Sequence, residues 1–157
     1  MNLRPDQLAD ILNKQLHPLY LISGDEPLQV MESSDRVRAA CRRQDYAERE
    51  VFDVDASFDW QLLKEEANSL SLFSSRRILD VRIPSGKPGR EGGQALKEYA
   101  ANPPEDTVLL ITSGKLEAAQ KKSAWFKALD QAGVVMQCWP IGPDRLPAWI
   151  KQRFQSR

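Results

Sequence analysis

Five short apolar runs divide this chain at roughly even intervals: Leu19-Tyr20-Leu21-Ile22, Glu50–Val54, the stretch 77–83, Thr107–Ile111 and Val134–Cys138. Each is strand-sized, and between them apolar residues recur at helical spacing. Strands that alternate with helices need crossover connections, which make neighbouring strands parallel and cover both faces of the sheet. The runs are continuously apolar, as expected for strands buried on both sides. The predicted class is therefore α/β, a five-stranded parallel sheet with helices on both faces.

The helices follow from the same pattern. Leu8, Ile11, Leu12 and Leu16 place an opening helix at 5–16, ended by His17-Pro18. Asp25 or Glu26 caps the next helix, with Pro27 in its first turn and Val30, Ser34, Val37 and Cys41 on one face. A third helix is expected at 58–70, with Trp60, Leu63, Ala67 and Leu70 inward. Pro84–Gly93 holds four glycines and two prolines in ten residues, and the expectation is a mobile loop. Helices at 94–101 and 118–132 follow, the latter carrying Trp125, Phe126 and Leu129 as core residues and closed by Gly133. After Pro140-Ile141-Gly142-Pro143, residues 144–155 read as one more amphipathic helix. The expected division is a domain at 1–140, then a linker and the first helix of a second domain at 141–157.

A chain of 157 residues is long enough for a self-supporting core. With 22 basic and 22 acidic residues, its surface as a whole is not built for nucleic acid or acidic membranes, although a local basic patch is allowed. Cys41 and Cys138 lack metal-site spacing and read as reduced cytoplasmic thiols. His17, alone and before Pro18, reads as structural. No apolar run is long enough to span a bilayer, and no signal peptide is visible at the N-terminus. No metal and no cofactor is expected.

In a sheet of this kind ligands sit beyond the carboxyl ends of the strands. After the first strand, a nucleotide hydrolase would carry G-x-x-x-x-G-K-[ST], whose lysine reaches the phosphates and whose hydroxyl holds magnesium. Here that position reads Ser23-Gly24-Asp25-Glu26-Pro27-Leu28, with one glycine, two carboxylates and no lysine between Lys14 and Lys64. The strands at 77–83 and 107–111 do not end in paired acids that would organise magnesium. No usable phosphate cradle and no catalytic residue are found. Asp53 and Asp55 resemble a metal pair, but solvated or capping carboxylates are the commoner outcome. Ser113-Gly114-Lys115 is best taken as a plain turn. Arg36, Arg38, Arg42 and Arg43 have the chemistry to meet phosphates, yet Glu32, Asp35 and Asp45 beside them favour a solvated helix face.

One connection does not look like a connection. Ser69-Leu70-Ser71-Leu72-Phe73-Ser74-Ser75 sets large apolar side chains among small polar ones between a helix and a strand. Connections lie on the surface, so Leu72 and Phe73 are candidates for an anchor that fills a partner's pocket. From the residues alone, burial in the core is the commoner fate of a Leu and a Phe.

The order of these segments resembles the delta-subunit family of bacterial DNA polymerase III. Tyr20–Leu28 is similar to the family's opening strand and turn. Ser71-Leu72-Phe73-Ser74-Ser75-Arg76 is similar to its clamp-binding element. Lys115-Leu116 followed by Ala124-Trp125-Phe126 matches its fourth strand-to-helix region, and Leu146–Ile150 resembles the first helix of its second domain. The resemblance implies an AAA+-type, P-loop NTPase-like fold whose nucleotide site, at Ser23, Gly24, Asp25 and Glu26, is degenerate. It implies a non-catalytic subunit of the polymerase complex in the bacterial cytoplasm that grips the beta sliding clamp and opens the ring. Clamp binding would fall on Leu70, Ser71, Leu72 and Phe73: the Leu-Phe pair enters a clamp pocket, and Leu70, where a Met is expected, presses near the ring interface. Other loader subunits would be met through domains missing here, and DNA only indirectly or weakly. Two alternatives are an atypical P-loop-related ATPase and a stand-alone doubly wound interaction domain with Leu72 and Phe73 buried.

Overall fold

In the computed structural model, residues 2–68 and 76–138 are described. The strands are β1 (Asn2–Leu3), β2 (Leu19–Gly24), β3 (Tyr46–Asp53), β4 (Arg76–Ile83), β5 (Thr107–Ser113) and β6 (Val134–Cys138). The helices are α1 (Leu8–Lys14), α2 (Pro27–Arg43), α3 (Gln61–Asn68), α4 (Gly89–Ala101), α5 (Ala118–Lys121) and α6 (Ala124–Ala132). The strands form one sheet in the order β1-β6-β2-β5-β4-β3, with every pairing parallel. All five expected strands are present. The sixth, β1, is a two-residue edge strand registered on Val135 and Met136, too short to leave a periodic signal.

Alternate residues of each strand feed two separate cores, as the two-residue period requires. Leu19 and Leu21, Leu79, Val81 and Ile83, and Leu109 and Ile111 face α3, α4 and α6 and pack with Leu63, Leu96, Trp125, Phe126 and Leu129. Tyr20 and Ile22, Ile78, Val108 and Leu110, and Val134 and Met136 face α1 and α2 and pack with Leu8, Leu12, Val37 and Cys41. Trp125 and Phe126 are thus core residues, as expected. His17 sits against this second core, its backbone N–H donating to the Tyr20 hydroxyl at 2.9 Å. β3 is an edge strand and presents Glu48, Arg49, Glu50 and Asp53, charges that discourage pairing with another chain.

Four expectations about the helices need correction. The opening helix begins as a 3-10 turn at Pro5–Gln7 and ends at Lys14. The helix expected at 118–132 is two, because Ser123 adopts an extended conformation and caps α6, its Oγ accepting from the Phe126 N–H. The Gly/Pro stretch at 84–93, expected as a loop throughout, is a turn followed by the start of a helix. It turns at Pro84–Gly86, buries Gly86 and Pro88, and starts α4 at Gly89 rather than at residue 94. Gly92 is a packing residue: a β-carbon there would sit 2.6 Å from the Trp60 ring. Glycine count signalled freedom, whereas here the missing side chain admits an indole.

α3 also starts later than expected, at Gln61. Asp55 Oδ1 accepts from the Ser57 N–H at 2.9 Å, and Asp59 Oδ1 accepts from the Gln61 N–H at 3.0 Å. Both aspartates thereby act as local turn and cap groups. Phe58 lies before the helix in an edge-to-face stack on Trp60, with centroids 5.1 Å apart.

Candidate functional site

The carboxyl end of β2 is where a nucleotide would sit. Ser23 is buried within the strand, and Gly24 follows with φ +155°. A β-carbon on Gly24 would collide with the Cys138 carbonyl, so the ends of β2 and β6 are packed backbone to backbone. Asp25 is exposed, and Glu26 is the N-cap residue of α2 without a side-chain capping bond. Pro27 occupies the first turn and has no N–H to offer. A helix N-terminus binds phosphate through free N–H groups and its positive end. Here one donor is missing and two carboxylates stand in front.

The two buried thiols lie apart: Cys138 ends β6 beside Gly24, and Cys41 sits in the last turn of α2, near Tyr20 and Tyr46. Burial pushes Cys41 from its ordinary 9.0 up to about 11, with Arg42 opposing weakly. Burial also pushes Cys138 up to about 11; the Ser33 hydroxyl opposes, and the Glu26 carboxylate adds to the rise. Both are neutral thiols at physiological pH. Among the described residues no group of His, Cys, Asp and Glu is arranged to hold a metal ion, and no helix is long and apolar enough to cross a membrane.

Beside α2 runs a groove of about 680 Å³, lined by Pro27, Val30 and Met31 and by Arg38, Arg42, Arg49 and Arg82. Its chemistry centres on Asp80, fully buried in the middle of β4. Arg49 donates to Asp80 Oδ2 through Nη2 at 2.7 Å and Nε at 3.1 Å. Arg38 Nε donates to the same oxygen at 3.2 Å, and Arg82 Nη2 stands 3.7 Å away. Arg38 also binds Asp35 at 2.7 Å and keeps only 12% of its side chain exposed. It is not part of a solvated arginine face, as the charge run had suggested. The sequence placed Asp80 inside a strand but did not reveal its partners. An acid in an apolar run does carry a signal, since a buried charge requires a counter-charge.

The opposite, amino end of the sheet carries the remaining feature. Leu70, Ser71, Leu72 and Phe73 lie outside the described residues, as does 141–157, but both flanks of the 69–75 connection are described. The chain leaves α3 at Asn68 and enters β4 at Arg76. Arg77 is buried; its Nη1 meets Glu66 Oε1 at 2.9 Å, Nη2 reaches the Ala67 carbonyl at 3.4 Å, and Nε reaches Thr107 Oγ1 at 3.4 Å. Arg76 donates to the Gln44 carbonyl at 2.8 Å and lies over the Tyr46 ring, 5.7 Å from its centroid. Eight residues of β4, about 26 Å of strand, separate this end from the Ser23–Glu26 end.

Comparison with known proteins gives a consistent result. The family model described as "DNA polymerase III, delta subunit" matches residues 20–139. The DNA polymerase III subunit delta of Escherichia coli K12 is 32% identical over 99% of this chain and 46% of its own length. That of Haemophilus influenzae is 29% identical over 97% of this chain and 45% of its own length. The chain therefore spans about half the length of these relatives. Among solved structures, a Bacillus subtilis DNA clamp loader delta protein superposes with a TM-score of 0.67 at 22% identity, over 88% of this chain and 43% of that one. A DNA polymerase III gamma subunit-related protein from Thermotoga maritima gives 0.54 at 15% identity, over 94% and 49%. At these identities the two structures bear on the fold alone.

Proposed function

Because the chain belongs to the DNA polymerase III delta-subunit family, we propose that it is the clamp-contacting part of a bacterial clamp loader. In this reading it binds the beta sliding clamp through Leu70, Ser71, Leu72 and Phe73 and favours the open ring, for loading onto or unloading from DNA. Leu72 and Phe73 enter a pocket on the clamp, and Leu70 presses towards the ring interface. The observation that carries the reading is the family match across 20–139, which spans both the apolar connection and the Ser23–Glu26 turn. What supports it besides is the pair of described flanks: α3 ends at Asn68 and β4 begins at Arg76, and a connection between such elements runs over the surface.

The chain itself performs no catalysis in this reading. The Ser23–Glu26 turn is a degenerate nucleotide site: Asp25 and Glu26 repel phosphate, and Pro27 withholds a donor. Contacts with other loader subunits run through further domains, the first beginning near residue 141, and DNA is met indirectly or weakly. The working place is the bacterial cytoplasm.

The decisive experiment is a titration with the cognate beta clamp. Wild type should bind, and the Leu72→Ala/Phe73→Ala pair should lose about 2 kcal/mol or more, the range of an interface hot spot. Its melting temperature should barely change. Unchanged clamp affinity, or a loss of several kcal/mol of fold stability, would return both side chains to the core and end this reading.

A further inference from the structure

We infer that Arg77 is a positioning residue for the clamp-contacting connection, holding its two ends at a fixed separation; the inference rests on the reading of Leu70–Phe73 given above. Arg77 belongs to the returning end, one residue inside β4, yet its guanidinium reaches back to the departing end. It pairs with Glu66 and touches the Ala67 carbonyl, both in the last turn of α3. The same side chain is tied to the sheet through Thr107, whose hydroxyl donates to the Glu105 carbonyl at 3.0 Å. The Arg77 N–H donates to the Asp106 carbonyl at 3.0 Å, registering this end of β4 on β5.

The chemistry suits a brace. The last carbonyls of a helix carry its negative end, and a guanidinium there is favoured. Arginine's planar fork bonds a carboxylate, a carbonyl and a hydroxyl at once, which an ammonium cannot do with the same geometry. Only 7% of the Arg77 side chain is exposed against 35% of Glu66, so water competes weakly for the pair. Arg76 adds a second fastening, to the Gln44 carbonyl and Asp106. A hydrophobic anchor gains affinity when its backbone is ordered before binding, because less freedom is lost on docking. Fastening the end of α3 to the start of β4 holds the two flanks at a set separation without touching the clamp.

The test is a double-mutant cycle read as clamp affinity. Arg77→Met, Arg77→Lys and Glu66→Gln are each made in the wild-type chain and in the Leu72→Ala/Phe73→Ala background. Clamp concentration is raised until residual binding is read. In the wild-type chain, Arg77→Met should weaken binding about tenfold and Glu66→Gln about threefold, with Arg77→Lys between them. In the Leu72→Ala/Phe73→Ala background those penalties should vanish, since contacting or coupled groups are non-additive. Glu66→Gln, at a partly exposed position, carries the test if Arg77→Met fails to fold. Wild-type affinity for Glu66→Gln and Arg77→Lys overturns the inference, as does the same penalty persisting in the doubly substituted background. If Leu72→Ala/Phe73→Ala alone binds like wild type, the reading of the connection is what fails.

Discussion

Asp80 shows what one residue can demand of its surroundings. A carboxylate with no exposure draws guanidinium groups from α2, β3 and its own strand, while its Oδ1 has no hydrogen-bond partner among the described residues. Removing one member of a buried ion pair strands the others, at a cost of about 3 kcal/mol or more. Asp80→Ala should lose roughly that in urea unfolding, and Arg82→Gln, at the weakly bound 3.7 Å position, less than about 1 kcal/mol. The sequence showed the acid but not the ring, because Arg38 and Arg49 lie 42 and 31 residues away and only the sheet brings them in. Cys41 and Cys138 lead to a pH prediction. Their folded pKa values are raised, so their contribution to stability is whole below the ordinary 9.0 and is lost as pH rises towards about 11. Melting temperature should therefore fall between those limits, and less steeply in Cys41→Ser/Cys138→Ser.

At the scale of elements, α4 reverses a common rule. Gly→Ala inside a helix ordinarily gains about 1 kcal/mol. At Gly92 the new methyl meets the Trp60 ring, and overpacking of this kind costs about 1–3 kcal/mol. Gly92→Ala should thus unfold at lower denaturant, and Trp60→Leu beside it should recover part of the loss. Equal or greater stability in Gly92→Ala would show that the indole moves aside freely. The strands were legible because continuous apolar runs depend only on local sequence. The helix starts were less so: Asp59 and Ser123 act through particular hydrogen bonds, and α4 begins among glycines whose purpose lies in two distant tryptophans, Trp60 and Trp125.

Across the whole molecule, the proposed roles divide between the two ends of one sheet. Calorimetry should detect no micromolar ATP binding, since the Ser23–Glu26 turn lacks the lysine and loses a donor at Pro27. Clamps loaded on circular DNA should leave faster when the chain is added, and Leu70→Ala should slow that release more than it weakens binding. A ligand shifts a closed–open equilibrium only by its preference for the open form, and near-complete opening needs about 5.5 kcal/mol. Tight binding without faster release would separate gripping from opening. The proposed anchor stands out in the sequence as an oddity of composition, large apolar groups in a connection, whereas the Arg77 fastening depends on the proximity of α3 to β5 and left no local mark. Parallel strands give the sheet a polarity like that of a two-ended tool. Because β4 keeps the ends about 26 Å apart, the chemistry at one could drift without reshaping the other.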